Sequence, residues 1–217
     1  MNIYSHLVIA DEIRTRIHVD DAPEYFWGAI IPDVRYVAGI PRSQTHLSAD
    51  TILNYMIRYP DLKPFLLGYL VHCLTDELDL VRIFNRHFPF YLLKRRLTAQ
   101  HYPVILELFY LEQKSLQGYT LSGRHNRMLE ALGITAEQSR LYYQLVNEYL
   151  ANPAFDAAIR LIQNLGNISS QRIDRYLASA RQFQANRALK GLLFLGIRAG
   201  KIHNRLVGSL LSAFPEL

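Results

Sequence analysis

Two ionisable residues lie one helical turn apart in an apolar stretch of this chain. The segment Gly68–Asp79 reads Gly-Tyr-Leu-Val-His-Cys-Leu-Thr-Asp-Glu-Leu-Asp, and its composition predicts a buried helix. His72 and Asp76 are four residues apart, so their side chains leave the same face of that helix. An imidazole and a carboxylate in apolar surroundings cost several kcal/mol unless their polar atoms are satisfied. Either a hydrogen bond between the two residues or a divalent cation would satisfy them.

Three upstream residues can complete a ligand set. His6 stands in Tyr-Ser-His-Leu, Asp33 in Ile-Pro-Asp-Val and His46 in Gln-Thr-His-Leu. Taken singly, each has an ordinary explanation: a structural histidine, an Asx turn after proline, and a loop residue or helix cap. Taken with His72 and Asp76, they form a set of imidazoles and carboxylates, the ligands that Zn²⁺, Fe²⁺ and Mn²⁺ sites prefer. The set predicts a metal centre of the kind that binds zinc, iron or manganese.

These residues lie in segments that resemble a known family. Tyr4-Ser-His enters a helix, Gly28 opens a Gly-x-x-x-Pro-Asp turn, a histidine follows a polar loop, and Gly68 opens Gly-Tyr-Leu-x-His-x-x-x-Asp. Over about its first 80 residues the chain therefore resembles the zinc-dependent phospholipase C superfamily, whose fold is shared with single-strand-specific nucleases.

The resemblance implies a ligand set and a reaction. It implies that Asp33, His46, His72 and Asp76 hold one metal ion, while His6 and a bridging Asp76 hold a neighbouring one. It also implies hydrolysis of a phosphoester by a metal-activated water, with Asp33 as a ligand that can also take the proton of that water.

The chain departs from that family in two respects. It begins with Met1-Asn2-Ile3, whereas secreted members of the family bind metal through a processed N-terminal tryptophan. The family's later pair of a histidine and a glutamate four residues apart is also missing, because Ile105 follows His101 and Leu129 follows His125 at that spacing. We therefore expect one or two metals rather than three.

Composition limits the class of protein. The chain has 217 residues, 50% of them hydrophobic and 20% charged, as in an ordinary globular protein. Its single cysteine, Cys73, excludes a disulfide framework and fits a reducing compartment. The sequence shows neither a signal-peptide pattern nor an apolar run long enough to span a bilayer. We therefore expect a cytoplasmic protein without a transmembrane segment, and its oligomeric state is not predicted.

The hydrophobic spacing predicts an all-α fold. We expect a multi-helix bundle of the phospholipase C/nuclease type with long C-terminal helices. Residues 1–116 would form the helical core around the metal site, and residues 117–217 would pack on it within one continuous domain. Ser5 is a candidate N-cap for the first helix, and Ser48 for the helix that ends near Tyr59. Residues 34–47 contain Gly39 and Pro41 and are expected to form a loop.

Substrate and partner are less constrained. A cleft lined by Tyr4, Trp27, Tyr36 and Tyr69 could stack a base or hold a lipid headgroup, although each of these aromatic residues, taken singly, is more often a packing residue. The phosphate-bearing substrate could therefore be a small molecule, a phospholipid or a nucleic acid. The net charge is +5, and basic residues concentrate after position 170, where they could bind an anionic partner or form a solvated face.

Two other functions are considered. The first is a non-catalytic helical scaffold with a retained or vestigial metal site, whose basic C-terminal helix binds a partner. The second is an HD-type phosphohydrolase, which is disfavoured because the chain contains no adjacent His-Asp pair.

Overall fold

The computed structural model describes residues 3–80, 82–83, 102–113, 118–185, 191 and 201–214. These residues form helices and turns with no β-strand among them, so the predicted all-α class is confirmed. The α-helices of the described part of the chain are α1 (Ile3–Ile17), α2 (Ala22–Gly28), α3 (Arg35–Ala38), α4 (Arg42–Thr45), α5 (Ala49–Arg58), α6 (Lys63–Glu77), α7 (Tyr102–Gln113), α8 (Arg127–Ala131), α9 (Ala136–Ala151), α10 (Phe155–Asn164), α11 (Ser170–Ala185) and α12 (Lys201–Ala213), with 3₁₀ turns at Ile31–Val34 and Pro60–Leu62.

Polar side chains cap several helices. Ser48 accepts a hydrogen bond from the Thr51 amide at the start of α5, as predicted. Thr135 and Gln138 form a capping box at the start of α9, each satisfying the other's backbone amide.

Two local predictions were wrong. Ser5 is not an N-cap, because it lies inside α1 and its amide is bonded to the distant Glu107 carboxylate. Residues 34–47 are not a plain loop, since they contain the one-turn helices α3 and α4 on either side of Gly39. Gly39 ends α3 with a left-handed φ of 69°. Helices of four residues are too short to show a hydrophobic period.

Helix α1 lies at the centre of the fold. Every residue from Ile3 to Ala10 is buried, including Ser5 and His6. The helix contacts α2, α6, α7 and α12, so it is surrounded by elements from both ends of the sequence. This all-round burial explains why polar residues such as His6 need partners within the protein.

Two glycines let α2 and α6 touch backbone to backbone. A Cβ built on Gly28 would lie 1.9 Å from the Phe65 carbonyl oxygen, and one built on Gly68 would lie 1.9 Å from the Tyr25 carbonyl oxygen. No side chain fits at either position without moving a helix. The contact brings the carbonyl of Ala29 against the face of α6 that carries His72.

Polar contacts join the later part of the chain to the earlier elements. The Tyr142 hydroxyl of α9 donates to the Ile30 carbonyl at 2.9 Å. The Asn167 side-chain amide donates to the Tyr36 carbonyl at 2.9 Å. Both halves of the described chain contribute to one hydrophobic core. Among the helices described, none is long and apolar enough to cross a membrane.

Candidate metal centre

Five side chains from four separate segments meet at one place beside α6. Their nitrogen and oxygen donors form two overlapping triads, His6–His72–Asp76 and Asp33–His46–His72, and within each triad the donor atoms all lie within 4.8 Å of one another. All five sequence-predicted ligands therefore lie in one cluster, which has His72 in both triads.

Helix α6 supplies His72, and a backbone carbonyl fixes which imidazole nitrogen of His72 faces the cluster. The imidazole Nδ1 lies 2.8 Å from the Ala29 carbonyl oxygen, which can only accept, so Nδ1 carries the proton and donates. The Nε2 lone pair then points at the other donors. Burial, together with the neighbouring His6, lowers the pKa of His72 to about 3. His72 is therefore neutral at physiological pH, which is the form that binds metal ions.

Helix α1 supplies His6, and a buried carboxylate from α7 fixes the start of this helix. Glu107 is 2% exposed, and its oxygens accept from the amides of Tyr4 at 3.0 Å and Ser5 at 2.7 Å. It also accepts from the Tyr149 hydroxyl at 2.8 Å. The His6 Nε2 lies 3.2 Å from Asp76 Oδ1, and its ring stacks on His72 with centroids 4.4 Å apart. Glu107 thus positions His6 through the first turn of α1.

The turn after α4 supplies His46. The Tyr69 hydroxyl of α6 donates to the Thr45 carbonyl, which ties this turn to α6. The Thr45 hydroxyl lies 3.1 Å from His46 Nδ1, so the outer nitrogen of the ring has a partner. The other nitrogen, Nε2, lies 3.0 Å from Asp76 Oδ2 and 3.3 Å from His72 Nε2.

The 3₁₀ turn Ile31–Val34 supplies Asp33. Asp33 is 3% exposed, and Arg35 Nε lies 3.7 Å from Asp33 Oδ1. Burial opposes ionisation of Asp33, but nearby positive charge holds its pKa below the ordinary value. The Arg35 guanidinium lies over the Tyr36 ring, 3.9 Å from its centroid, and donates to the hydroxyl of that residue. Asp33 is therefore an ionised carboxylate beside a fixed cation.

Asp76 connects the two sides of the cluster. Its Oδ1 faces His6, whereas its Oδ2 faces His46 and the Nη1 of Arg42, which is 2.6 Å away. Burial raises the pKa of Asp76, but hydrogen bonds from His46 and His6 outweigh burial and hold the pKa well below the ordinary value. Two carboxylate oxygens directed to opposite sides are what a bridging ligand requires.

The donor spacing fits a metal ion. Two ligand atoms that each lie about 2.05 Å from a tetrahedral Zn²⁺ are about 3.3 Å apart. The separations here are 3.3 Å for His72 Nε2 to His46 Nε2, 3.0 Å for His46 Nε2 to Asp76 Oδ2, and 3.2 Å for His6 Nε2 to Asp76 Oδ1. His72 Nε2 is 3.9 Å from Asp76 Oδ2, which a small side-chain rotation would shorten. These separations are compatible with ligands of a small divalent cation.

Other ionisable residues that the structure describes near the end of α6 and at the start of α8 lie outside this cluster. Asp79 accepts from the Arg82 amide at 2.9 Å and caps the next helical segment, and Glu77 is exposed. His125 lies 3.7 Å from Glu130, and no described contact joins it to the cluster. His87 and His101 lie outside the described residues.

The four aromatic residues considered for a cleft are packing residues. Tyr4, Trp27, Tyr36 and Tyr69 are each at most 4% exposed and belong to the hydrophobic core. Trp27 Nε1 donates to the Arg124 carbonyl at 2.9 Å, and Tyr69 holds the His46 turn. These residues support the cluster instead of offering a surface for a base or a lipid.

Sequence reasoning missed three residues that shape the cluster. Glu107 is a single carboxylate in the apolar run Pro-Val-Ile-Leu-Glu-Leu-Phe-Tyr-Leu, and that isolation is a signal that a buried partner exists. Arg35 is two residues from Asp33, close enough to be considered as its counterion. Arg42 is 34 residues from Asp76 and gives no local signal.

Comparisons of the chain with family models, with curated proteins and with solved structures found no match. The resemblance to the zinc-dependent phospholipase C superfamily therefore stays a prediction. The geometry of the cluster is the ground on which a function can be argued.

Proposed function

We propose that this protein is a metal-dependent hydrolase that cleaves a phosphoester with an activated water molecule. One observation carries the proposal: five imidazole and carboxylate side chains from four segments converge, and three of the separations between their donor atoms match those of a Zn²⁺ site. Several imidazoles and carboxylates gathered in a largely buried cluster are costly unless their polar atoms are satisfied, and a cation can satisfy them together. Zinc is the preferred ion, and iron or manganese accept the same ligands.

The five residues divide the work between two positions. Asp33, His46 and His72, with the Oδ2 side of Asp76, would surround one position, and His6 with the Oδ1 side of Asp76 would face a second. A cation at such a position lowers the pKa of a water molecule toward about 7 and polarises a phosphoryl oxygen. Asp33 is buried and ionised, so it can hold the water by a hydrogen bond and accept its proton. The Ala29 carbonyl keeps His72 in the tautomer that leaves Nε2 available.

The substrate class follows from the reaction. A phosphodiester, a phospholipid headgroup or a nucleotide would each present a phosphate to the cluster. The cluster opens to solvent on the side of Asp76 and Arg42, whose side chains are 23% and 46% exposed. We propose a cytoplasmic location, in keeping with a single buried cysteine.

Metal analysis combined with an activity assay tests the proposal. The purified full chain should contain about one to two equivalents of zinc, iron or manganese by mass spectrometry. It should hydrolyse bis(p-nitrophenyl) phosphate, and a chelator should abolish this activity until metal is restored. His72→Ala should lose both metal and activity, whereas His125→Ala, a matched histidine outside the cluster, should keep both. A metal-loaded protein that hydrolyses neither phosphodiester nor phosphomonoester model substrates would refute the hydrolase.

A non-catalytic scaffold is the second candidate, because the described contacts satisfy much of the cluster without a metal. Arg42 neutralises Asp76, and His6 and His46 also lie within hydrogen-bonding distance of this carboxylate. Exposed arginines on α11, Arg175 and Arg181, could then meet an anionic partner. Absence of metal from the purified chain, with a melting temperature that chelation leaves unchanged, would support the scaffold over the enzyme.

A further inference from the structure

Arg42 is the outermost charged group of the cluster. Its Nη1 lies 2.6 Å from Asp76 Oδ2, the same oxygen that faces His46 Nε2 at 3.0 Å. The Arg42 side chain is 46% exposed, compared with 7% for His46 and 23% for Asp76. Its own carbonyl accepts from the His46 amide at 2.8 Å, so Arg42 and His46 are held in the same turn. Arg42 therefore stands between the cluster and solvent.

The two arginines beside the carboxylates differ in their freedom to move. Arg35 is 12% exposed, lies over the Tyr36 ring and donates to its hydroxyl, so it is a fixed counterion of Asp33. Arg42 is a long exposed side chain whose guanidinium is described in one ion pair, that with Asp76. Releasing such a pair costs little, because water can solvate the guanidinium.

Arg42 and a divalent cation cannot both lie close to the same Asp76 oxygen without repelling each other. The guanidinium lies on the Oδ2 side, where His46 contributes its donor. The carboxylates of Asp33 and Asp76 balance the charges of Arg35 and Arg42, so each divalent cation would give the site two positive charges. A site of that charge, with a forked guanidinium at its open side, suits a phosphate group.

We propose that Arg42 is the anion-binding residue of this site. It neutralises Asp76 while no cation is bound, and it turns to the phosphate oxygens of the substrate when Asp76 binds a divalent cation. This inference rests on the proposed metal-dependent function and adds a specificity to it: the substrate carries an anionic phosphate oxygen that Arg42 contacts, so a neutral ester is a poor substrate.

Two titrations of the full chain test the inference. The metal-free protein is titrated with Zn²⁺ by calorimetry, and the zinc-loaded protein is then titrated with inorganic phosphate. Arg42→Met should bind Zn²⁺ about fivefold more tightly, because a competing cation is removed, and phosphate at least about tenfold more weakly. Arg16→Met is the matched control, because Arg16 is 48% exposed and lies 2.7 Å from Glu12 far along α1. It should leave both affinities unchanged.

The outcomes separate this inference from the function on which it rests. Weaker Zn²⁺ binding by Arg42→Met would mean that Arg42 only holds Asp76 in place, and unchanged phosphate binding would mean that it does not meet the anion; either result overturns the inference alone. The inference alone is also overturned if the wild-type chain binds Zn²⁺ and phosphate and Arg42→Met binds both as Arg16→Met does. A wild-type chain that binds no divalent cation overturns the proposed function and the inference together.

Discussion

Replacing Gly68 with alanine should push α6 away from α2 and disturb the cluster from a distance. The new Cβ would lie 1.9 Å from the Tyr25 carbonyl oxygen, where contacts under 3.0 Å are essentially never found, so the backbones must part by about 1 Å. The His72 Nδ1 contact to the Ala29 carbonyl, now 2.8 Å, would then exceed the range of a hydrogen bond. Asp33 would move with the α2 side and His72 with α6.

The expected cost combines three effects. Overpacking costs about 1–3 kcal/mol, and a buried donor left without its acceptor costs about 1–3 kcal/mol more. Alanine in place of a helical glycine stabilises the helix by about 1 kcal/mol. The net destabilisation should be about 3 kcal/mol, which for a chain of this length lowers the melting temperature by about 6–12 °C. Zn²⁺ affinity should fall at least tenfold, because metal–ligand distances tolerate only about 0.2 Å.

Thermal melting of the metal-free protein and calorimetric Zn²⁺ titration measure both effects. Gly208→Ala is the control, because Gly208 lies inside α12 and a Cβ there meets nothing within 4 Å. That variant should melt at the wild-type temperature or slightly above it. If Gly68→Ala is stabilised in the same way, the close backbone contact does not exist and the positioning argument built on it is wrong.

Three further predictions follow from the contacts around the cluster. Glu107→Gln should lose about 2–4 kcal/mol of unfolding free energy, because an amide cannot accept from all of the donors at the start of α1, and an unchanged urea midpoint would contradict this. Asp76→Asn should lose more bound metal than the exposed control Glu77→Gln, and equal metal content in the two variants would count against Asp76 as a ligand. The metal-free protein should lose stability as the pH falls below about 6.5, because the His72 imidazole is protonated in the unfolded chain but, with a pKa of about 3, stays neutral in the folded protein. The loss from His72 should be up to about 1.4 kcal/mol per pH unit. If the urea midpoint does not decrease when the pH is lowered from 7 to 5, His72 is not buried in the neutral form.

Local patterns predicted several of the helical elements and drew attention to the cluster residues. The i, i+4 pair of His72 and Asp76, the cap at Ser48 and the proline at the start of α6 each act within a few residues, so a sequence displays them directly. The inward set of imidazoles and carboxylates was recognisable because ionisable groups in apolar segments need an explanation. Whether those five residues bind a metal is still a prediction.

Long-range contacts could not be predicted in the same way. Glu107 meets Ser5 from 102 residues away, so the sequence around Ser5 suggests a local cap that the fold does not use. Tyr69 looks the same in sequence whether it lines a cleft or, as here, donates to the Thr45 carbonyl inside the core. Such choices depend on which elements pack together, and no local period records that.

The cluster has a fixed side and an open side, and this division bears on how it could act. His72 is held by the Ala29 carbonyl, and the preceding residue, Val71, is 1% exposed in the core of α6, so one side of the cluster can hold its geometry without a ligand. Asp76 and Arg42 lie at the other side, where an exposed ion pair is weak and can exchange partners. A rigid donor set keeps a cation and a water in place, whereas an exchangeable charge lets an anionic substrate enter without first breaking the core. The same division explains why a substitution at Gly68 should disturb metal binding and stability together, while one at Arg42 should change affinities with little effect on folding.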